Sequence, residues 1–355
     1  MDLGSDLDLP MPTVWENGYG FISYTCPWTS WVSPKFRDIV KWLMDEPKLP
    51  KLCSQSLEEQ LPILKPNFQQ QQNTSEKEEE EGGIRVTWLG HSTLFLKMEG
   101  LNILTDPMFG VQATTQFPFG GPLLRLPCMH RYRPPPCKVK DLHRVDVVLI
   151  SHNHHDHLDI KSVMMLNEKF PNITWLVPLG MKQWMLSVGC THVYELNWWE
   201  SYEILSPATT LLSPVKFYFT PAQHWSGRGL GDTNTSLWGS FSVIGSKNRF
   251  FFAGDTGYCE VFKKIGEVFG PFDLAAIPIG AYNPRWFMHP QHVDPSEAVQ
   301  MHSDLKAKRS IGIHWGTFRL TNEHYMEPKL LLEALTQDWE KGTFFTLNHG
   351  ESAIV

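Results

Sequence analysis

Ser151-His152-Asn153-His154-His155-Asp156-His157 places five residues able to hold a metal within seven positions. It follows residues 145–150, Val-Asp-Val-Val-Leu-Ile, which read as a strand buried on both faces. The cluster therefore sits at the end of a strand, where a site belongs. Its H-x-H-x-D-H pattern offers four ligands on one tight loop. Neutral imidazoles suit Zn²⁺, and an interleaved carboxylate lets one loop serve two neighbouring ions.

Composition bounds what such a site can serve. The chain has 355 residues, 42% of them hydrophobic, enough for a sizeable core in one large or two ordinary domains. A net charge of −7 argues against a nucleic-acid surface, which would carry a basic stripe. The first nine residues are acidic and lack a secretory signal's basic start and apolar core. No apolar run is long enough to span a bilayer. Six scattered cysteines without C-x-x-C spacing suggest neither a thiolate zinc site nor a disulfide framework, so an intracellular, reduced protein is expected. Fourteen tryptophans suit a membrane interface or binding surface, although large cores use them too.

Outward from the histidine loop, the chain separates into three parts. Residues 1–68 form an N-terminal segment, aromatic and irregular up to 32, packed on the catalytic body or a membrane. Within it Ser33-Pro34 opens a short amphipathic helix carrying Phe36, Ile39, Val40 and Leu43 on one face. Residues 69–83, with Gln69–Gln72 and Glu78–Glu81, read as a polar low-complexity linker. Residues 84–355 form the catalytic domain. Strands are expected at 85–89, 94–98 and 101–105, then a long segment without regular period at 109–140. Its apolar Phe117, Phe119, Leu123, Leu124 and Leu126 and basic Arg125, Arg131 and Arg133 would suit a lid that meets lipid. Beyond the loop, helical and strand runs alternate to the C-terminus, which indicates an α/β layered architecture.

Three further candidates stand just past strands: His224, Asp255 and His314. With the loop they make five histidines and two aspartates, enough for two ions, and an aspartate can bridge both; Asp255 is the expected bridge. There is no G-x-S-x-G elbow and no phosphate-binding G-x-x-x-x-G-K-[ST] loop.

The order His152-x-His154-x-Asp156-His157, His224, Asp255, His314 resembles the metallo-β-lactamase superfamily. Further stretches resemble one member family, the N-acyl-phosphatidylethanolamine-hydrolysing phospholipase D. They include Thr87-Trp88-Leu89-Gly90-His91, Leu104-Thr105-Asp106-Pro107 and Phe251-Phe252-Ala253-Gly254-Asp255-Thr256-Gly257-Tyr258-Cys259. So do Gln291-His292-Val293-Asp294-Pro295, Ile313-His314-Trp315-Gly316-Thr317-Phe318 and His349-Gly350-Glu351-Ser352. The likeness runs nearly throughout 84–355. His155 stands where that family is expected to have tyrosine, and the stretch 226–232 is richer in glycine.

The resemblance implies an α/β fold, a four-layer αββα sandwich with metals at one edge between two sheets. It implies two Zn²⁺ per chain. One would be held by His152, His154 and His224, the other by Asp156, His157 and His314, with Asp255 bridging. The implied reaction is hydrolysis of N-acyl-phosphatidylethanolamine to N-acylethanolamine and phosphatidic acid, through a hydroxide shared by the ions. His292 would stabilise the transition state or protonate the leaving alkoxide. Asp106 would orient the metal site from behind, and Gln116 and Phe117 would stand at the substrate mouth. A lipid substrate implies peripheral attachment to the cytosolic face of an endomembrane (Golgi, endosome or ER), with a homodimer as one option for assembly and no nucleic-acid partner. The alternatives are a nuclease or lactonase on the same scaffold, or a catalytically silent metal protein that binds membranes.

Overall fold

A computed structural model of the chain describes residues 9–16, 22–44, 54–68, 83–116, 123–205, 214–229 and 231–355. The expected linker at 69–83 lies outside them except for Gly83, as do Phe117, Phe119 and the side chains of Phe36, Leu43, Gln116 and Leu123–Leu126.

Strands β1 (Thr13–Glu16) and β2 (Ile22–Thr25) pair as a hairpin, followed by helices α1 (Phe36–Met44) and α2 (Ser54–Gln60). Strands β3 (Arg85–Gly90), β4 (Thr93–Met98) and β5 (Leu101–Thr105) form a meander, and β6 (Gln112–Gln116) pairs with β7 (Leu123–His130). Next come β8 (Val147–Leu149), α3 (Ile160–Lys169), β9 (Thr174–Pro178), α4 (Lys182–Ser187), β10 (Val193–Leu196) and β11 (Ser201–Ile204). The second half holds β12 (Val215–Thr220), β13 (Ser240–Ile244), β14 (Arg249–Phe252), α5 (Val261–Val268) and β15 (Leu274–Pro278). It ends with α6 (Arg285–Met288), α7 (Pro295–Asp304), β16 (Arg309–Ile313), α8 (Glu327–Leu335), β17 (Phe344–Phe345) and β18 (Ser352–Ile354).

Two seven-stranded mixed sheets result, ordered β10-β9-β8-β5-β4-β3-β18 and β11-β12-β13-β14-β15-β16-β17. Side-chain alternation explains why they stack. In β8, Val147 and Leu149 join the core shared with Phe217, Phe219, Phe250 and Phe252 of the other sheet. Val148 and Ile150 point the other way, into a second core with Val163 and Leu166 of α3. Both faces of a central strand are thus apolar because each meets a different layer. On the far side Phe262, Ile265, Met301 and Leu332 bring α5, α7 and α8 onto the second sheet. This is the αββα sandwich that the resemblance implies.

Tryptophan serves this core more than a surface: Trp88, Trp175, Trp198 and Trp238 are fully buried. The indole N–H groups of Trp88, Trp198 and Trp238 donate to the carbonyls of His91, Trp238 and Ala222 at 2.9, 2.7 and 3.0 Å, so three of these four large apolar bodies go inside with their donor satisfied; that of Trp175 has no such partner.

Two expectations change. The first 32 residues are not wholly irregular, since β1 and β2 pair antiparallel from Thr13↔Thr25 to Glu16↔Ile22. The segment 109–140 likewise contains the β6–β7 hairpin, and two of its three named cations, Arg131 and Arg133, are engaged within the protein, while the side chain of Arg125 lies outside the described residues. Arg131 is buried and donates to Met108 O at 2.9 Å and Leu89 O at 3.3 Å, while Arg133 pairs with Glu58 at 3.2 Å.

The two halves are tied at their outer hairpins by one carboxylate. Glu99 accepts from the backbone N–H groups of Ser246, Lys247 and Asn248 and from Ser246 Oγ, all at 2.8–2.9 Å. Glu99→Ala strands these donors and should lower unfolding free energy by about 2 kcal/mol, read from the urea midpoint at unchanged slope. A midpoint equal to the parent's would show that solvent replaces the carboxylate at no cost.

Candidate metal centre

The site forms where strand ends converge. Asp106 follows β5, the histidine loop follows β8, His224 follows β12, Asp255 follows β14 and His314 follows β16. Close approach of the loops requires glycine at 254. Its φ is +62°, and a Cβ there would lie 2.5 Å from Ser151 Cβ. Asp106, His314 and His91 also hold positive φ angles (32°, 59° and 54°), conformations that non-glycine residues keep only where the surroundings impose them.

The seven expected ligands are brought together. His152 Nε2 lies 2.9 Å from His154 Nδ1, and His224 Nε2 lies 3.3 Å from that same atom. Ligand atoms about 2.0–2.1 Å from one tetrahedral ion stand about 3.3 Å apart, so these two separations suit ligands of a single metal ion. Asp156 Oδ2 is 3.6 Å from His157 Nε2 and 3.9 Å from His314 Nε2. Asp255 stands between the groups. Its Oδ2 is 3.1 Å from His157 Nε2, 3.8 Å from His152 Nε2 and 3.9 Å from His224 Nε2, and its Oδ1 is 3.1 Å from His314 Nε2. Buried His157 Nε2, His314 Nε2 and Asp255 Oδ1 have no hydrogen bond of good geometry, an arrangement suited to coordinating a cation.

Supporting hydrogen bonds aim these nitrogens. Asp106 Oδ2 accepts from His157 Nδ1 at 2.7 Å and from Ser151 Oγ at 2.6 Å. Ser151 Oγ in turn stands 2.9 Å from His152 Nδ1, and Gln291 O accepts from His224 Nδ1 at 3.0 Å. Each bond occupies one ring nitrogen and leaves the other facing the centre. Asp106 thus lies where an orienting residue would.

Burial holds His154 and His224 down to about 3 and His152 well below its ordinary value, so all three remain neutral and able to ligate at neutral pH. His157 moves the other way: burial disfavours its cation, but Asp255, Asp156 and Asp106 outweigh that and raise it well above 6.5. The same histidine helps hold Asp156 and Asp255 well below the ordinary carboxylate range against their burial. The carboxylates therefore call for positive charge at this point.

A stability prediction follows. His91, His152, His154, His224, His292 and His349 are all held down by burial, whereas an unfolded chain protonates each near pH 6.5. Their contribution is complete above pH 6.5 and is lost on acidification, at about 1.4 kcal/mol per pH unit for each. His157, being raised, keeps its stabilising contribution on acidification and offsets a small part of this loss. The metal-free protein should lose on the order of 5 kcal/mol between pH 6.5 and 5.5, read by urea denaturation in chelator at both values. A pH-independent midpoint contradicts this.

His292 lies against the same cluster. Its ring centroid is 5.3 Å from those of His224 and His314, and its buried Nδ1 has no hydrogen-bond partner. Arg285 Nη1 donates to its carbonyl at 2.8 Å and Arg285 Nη2 to Glu297 Oε2 at 2.7 Å, tying it to the capped start of α7. Sequence reasoning gave no role to His91, although it too follows a strand, the criterion that selected His224 and His314. Its Nε2 lies 3.0 Å from Asp156 Oδ2. The glycine-rich stretch at 226–232 supports the ligand loop through Arg228, whose Nη1 donates to Asn153 O at 2.7 Å and Leu158 O at 2.9 Å.

Residues 101–315 match the β-lactamase superfamily domain model. The chain is 46% identical over 281 residues to N-acyl-phosphatidylethanolamine-hydrolyzing phospholipase D 1 of Caenorhabditis elegans, covering 76% of each chain. It is 40% identical to the mitochondrial N-acyl-phosphatidylethanolamine-hydrolyzing phospholipase D of Saccharomyces cerevisiae, over 73% of this chain and 54% of that one. Among solved structures, an isothiocyanate hydrolase from Delia radicum gut bacteria superposes with a TM-score of 0.57 at 20% identity, over 76% of this chain and 98% of that chain. A metallo hydrolase from Ignicoccus hospitalis gives 0.55 at 18% identity, over 77% and 98%; both show the fold alone. Sequence relatedness at this coverage, on a sandwich that gathers these side chains at its edge, places the chain in the N-acyl-phosphatidylethanolamine-hydrolysing phospholipase D family of the β-lactamase superfamily.

Proposed function

We propose that this chain is a zinc-dependent phosphodiesterase that hydrolyses N-acyl-phosphatidylethanolamine to N-acylethanolamine and phosphatidic acid. The observation that carries the reading is the position of Asp255, whose two oxygens lie within 3.9 Å of four imidazole nitrogens from both ligand groups. His152, His154 and His224 would hold one ion, and Asp156, His157 and His314 the other. Bound there, two zinc ions would supply a nucleophile at neutral pH and neutralise charge on the phosphoryl oxygens. Asp106 holds His157 and, through Ser151, His152 in the orientation that ligation needs.

His292 is assigned to the phosphoryl group. Burial beside His224 and His314 outweighs the pull of Asp255 and holds it down to about 3. At neutral pH it is therefore an uncharged imidazole with an N–H to offer. That favours hydrogen bonding to the charge developing on phosphorus over proton donation to the leaving alkoxide.

A substrate with three acyl chains must be drawn from a bilayer, and no helix among the described residues is long and apolar enough to cross one. Peripheral docking on the cytosolic face of endomembranes is the reading proposed here, and cell fractionation tests it. Support comes from α1, where Trp42 stacks on Phe287 at 5.3 Å while Ile39, Val40 and Met44 stay exposed beside Arg37 and Lys41. The activity itself is tested by incubating purified protein with the lipid in detergent, with and without chelator, and identifying products by mass spectrometry. Phosphatidic acid and N-acylethanolamine should form in equal amounts and vanish with chelator. Turnover of nucleic acid or a lactone in place of the lipid would favour the other readings of this scaffold.

A further inference from the structure

His91 touches more of the centre than any residue outside the seven expected ligands and His292. Besides its 3.0 Å approach to Asp156 Oδ2, its ring packs on His314 at 4.1 Å between centroids and on His157 at 4.9 Å. Its carbonyl accepts from the backbone N–H of His314 at 3.1 Å and from Trp88 Nε1 at 2.9 Å. Its own backbone N–H donates to Thr317 Oγ1 at 2.7 Å. One residue at the end of β3 in the first sheet therefore grips Asp156, from the loop after β8, and His314, from the end of the second sheet's β16.

The geometry points to His91 as the positioning residue of the Asp156–His157–His314 metal subsite, holding Asp156 by an Nε2–H hydrogen bond and fixing His314 against it. This rests on the two-metal reading above. The reasoning is physical. A carboxylate ligand rotates about two side-chain bonds, and Asp156 Oδ2 must stay within reach of an ion shared with His157 and His314. An N–H donor fixed by its own backbone removes that freedom before metal arrives, so less ordering entropy is lost on binding. His91 is itself fixed from three sides, by Thr317, Trp88 and the edge of Phe318, whose ring centroid is 5.0 Å away. The other subsite is supported by different groups: Ser151 aims His152 and Gln291 aims His224.

The test is equilibrium zinc titration of full-length apoprotein against a chromophoric chelator, for the parent, His91→Leu and His91→Gln. The parent should bind two ions; fewer would refute the two-metal reading itself, independently of His91. His91→Leu should still bind two, with one dissociation constant raised about 10–100-fold and the other within about threefold. His91→Gln, which keeps an N–H donor of similar reach, should recover most of the lost affinity. A loss spread equally over both ions, or parent affinity in His91→Leu, would overturn the positioning role. Binding of a single ion by both variants at saturating zinc would overturn it too, by making His91 a ligand. Circular dichroism checks folding. If His91→Leu fails to fold, His91→Asn replaces it: too short to reach Asp156, it should show the one-site loss that His91→Gln does not.

Discussion

Asp255→Asn should purify as a folded protein that holds at most one zinc ion and has lost at least about a thousandfold in kcat/KM. The substitution keeps the side chain's volume, so the packing around Gly254 and Ser151 has no cavity to fill. It removes a charge whose oxygens lie 3.1 Å from both His157 Nε2 and His314 Nε2 and within 3.9 Å of His152 and His224. Losing the one carboxylate shared by both ligand groups weakens both, and the rest of the set cannot replace it. The metal contribution at stake is several kcal/mol of charge stabilisation, and each 1.4 kcal/mol is about tenfold in rate. Elemental analysis and steady-state kinetics on one preparation give the answer. Two ions with near-parental activity would remove Asp255 from the centre of the account.

His292→Ala should behave differently: about a hundredfold to a thousandfold lower kcat, KM little changed, and zinc content still near two. That loss is the usual scale for removing one donor aimed at developing charge. The separation matters because His292 is close enough to His224 and Asp255 to be a ligand in its own right. Metal loss in step with activity would reassign it to ligation. Full activity would leave it a packed side chain held by Arg285.

Legibility in the sequence followed the distance over which each feature is encoded. The H-x-H-x-D-H loop is local, and its placement after an apolar strand was enough to locate the centre. His224, Asp255 and His314 could be paired with it because strand ends gather on one edge of a layered α/β fold. Central strands were readable because both faces are apolar, as in Val147–Leu149 and Leu274–Pro278. Two of the edge strands are not: β11 and β18 are short and half-exposed, and their mixed composition does not separate them from loop. Arg131 looked like a surface cation since nothing local announces that its partners are carbonyls 42 and 23 positions away. Nothing local marks His91 for a task, because its contact with Asp156 spans 65 positions and needs a left-handed backbone that composition does not report.

If metal held by these residues directs water to phosphorus, the oxygen added in hydrolysis comes from solvent and stays with the phosphate. Hydrolysis of N-acyl-phosphatidylethanolamine in ¹⁸O-enriched water, with both products analysed by mass spectrometry, tests it most directly. One ¹⁸O atom is expected in each phosphatidic acid, none in the N-acylethanolamine, and no turnover once chelator has removed the metal. Label in the N-acylethanolamine, or phosphatidic acid formed undiminished by metal-free protein, would contradict it.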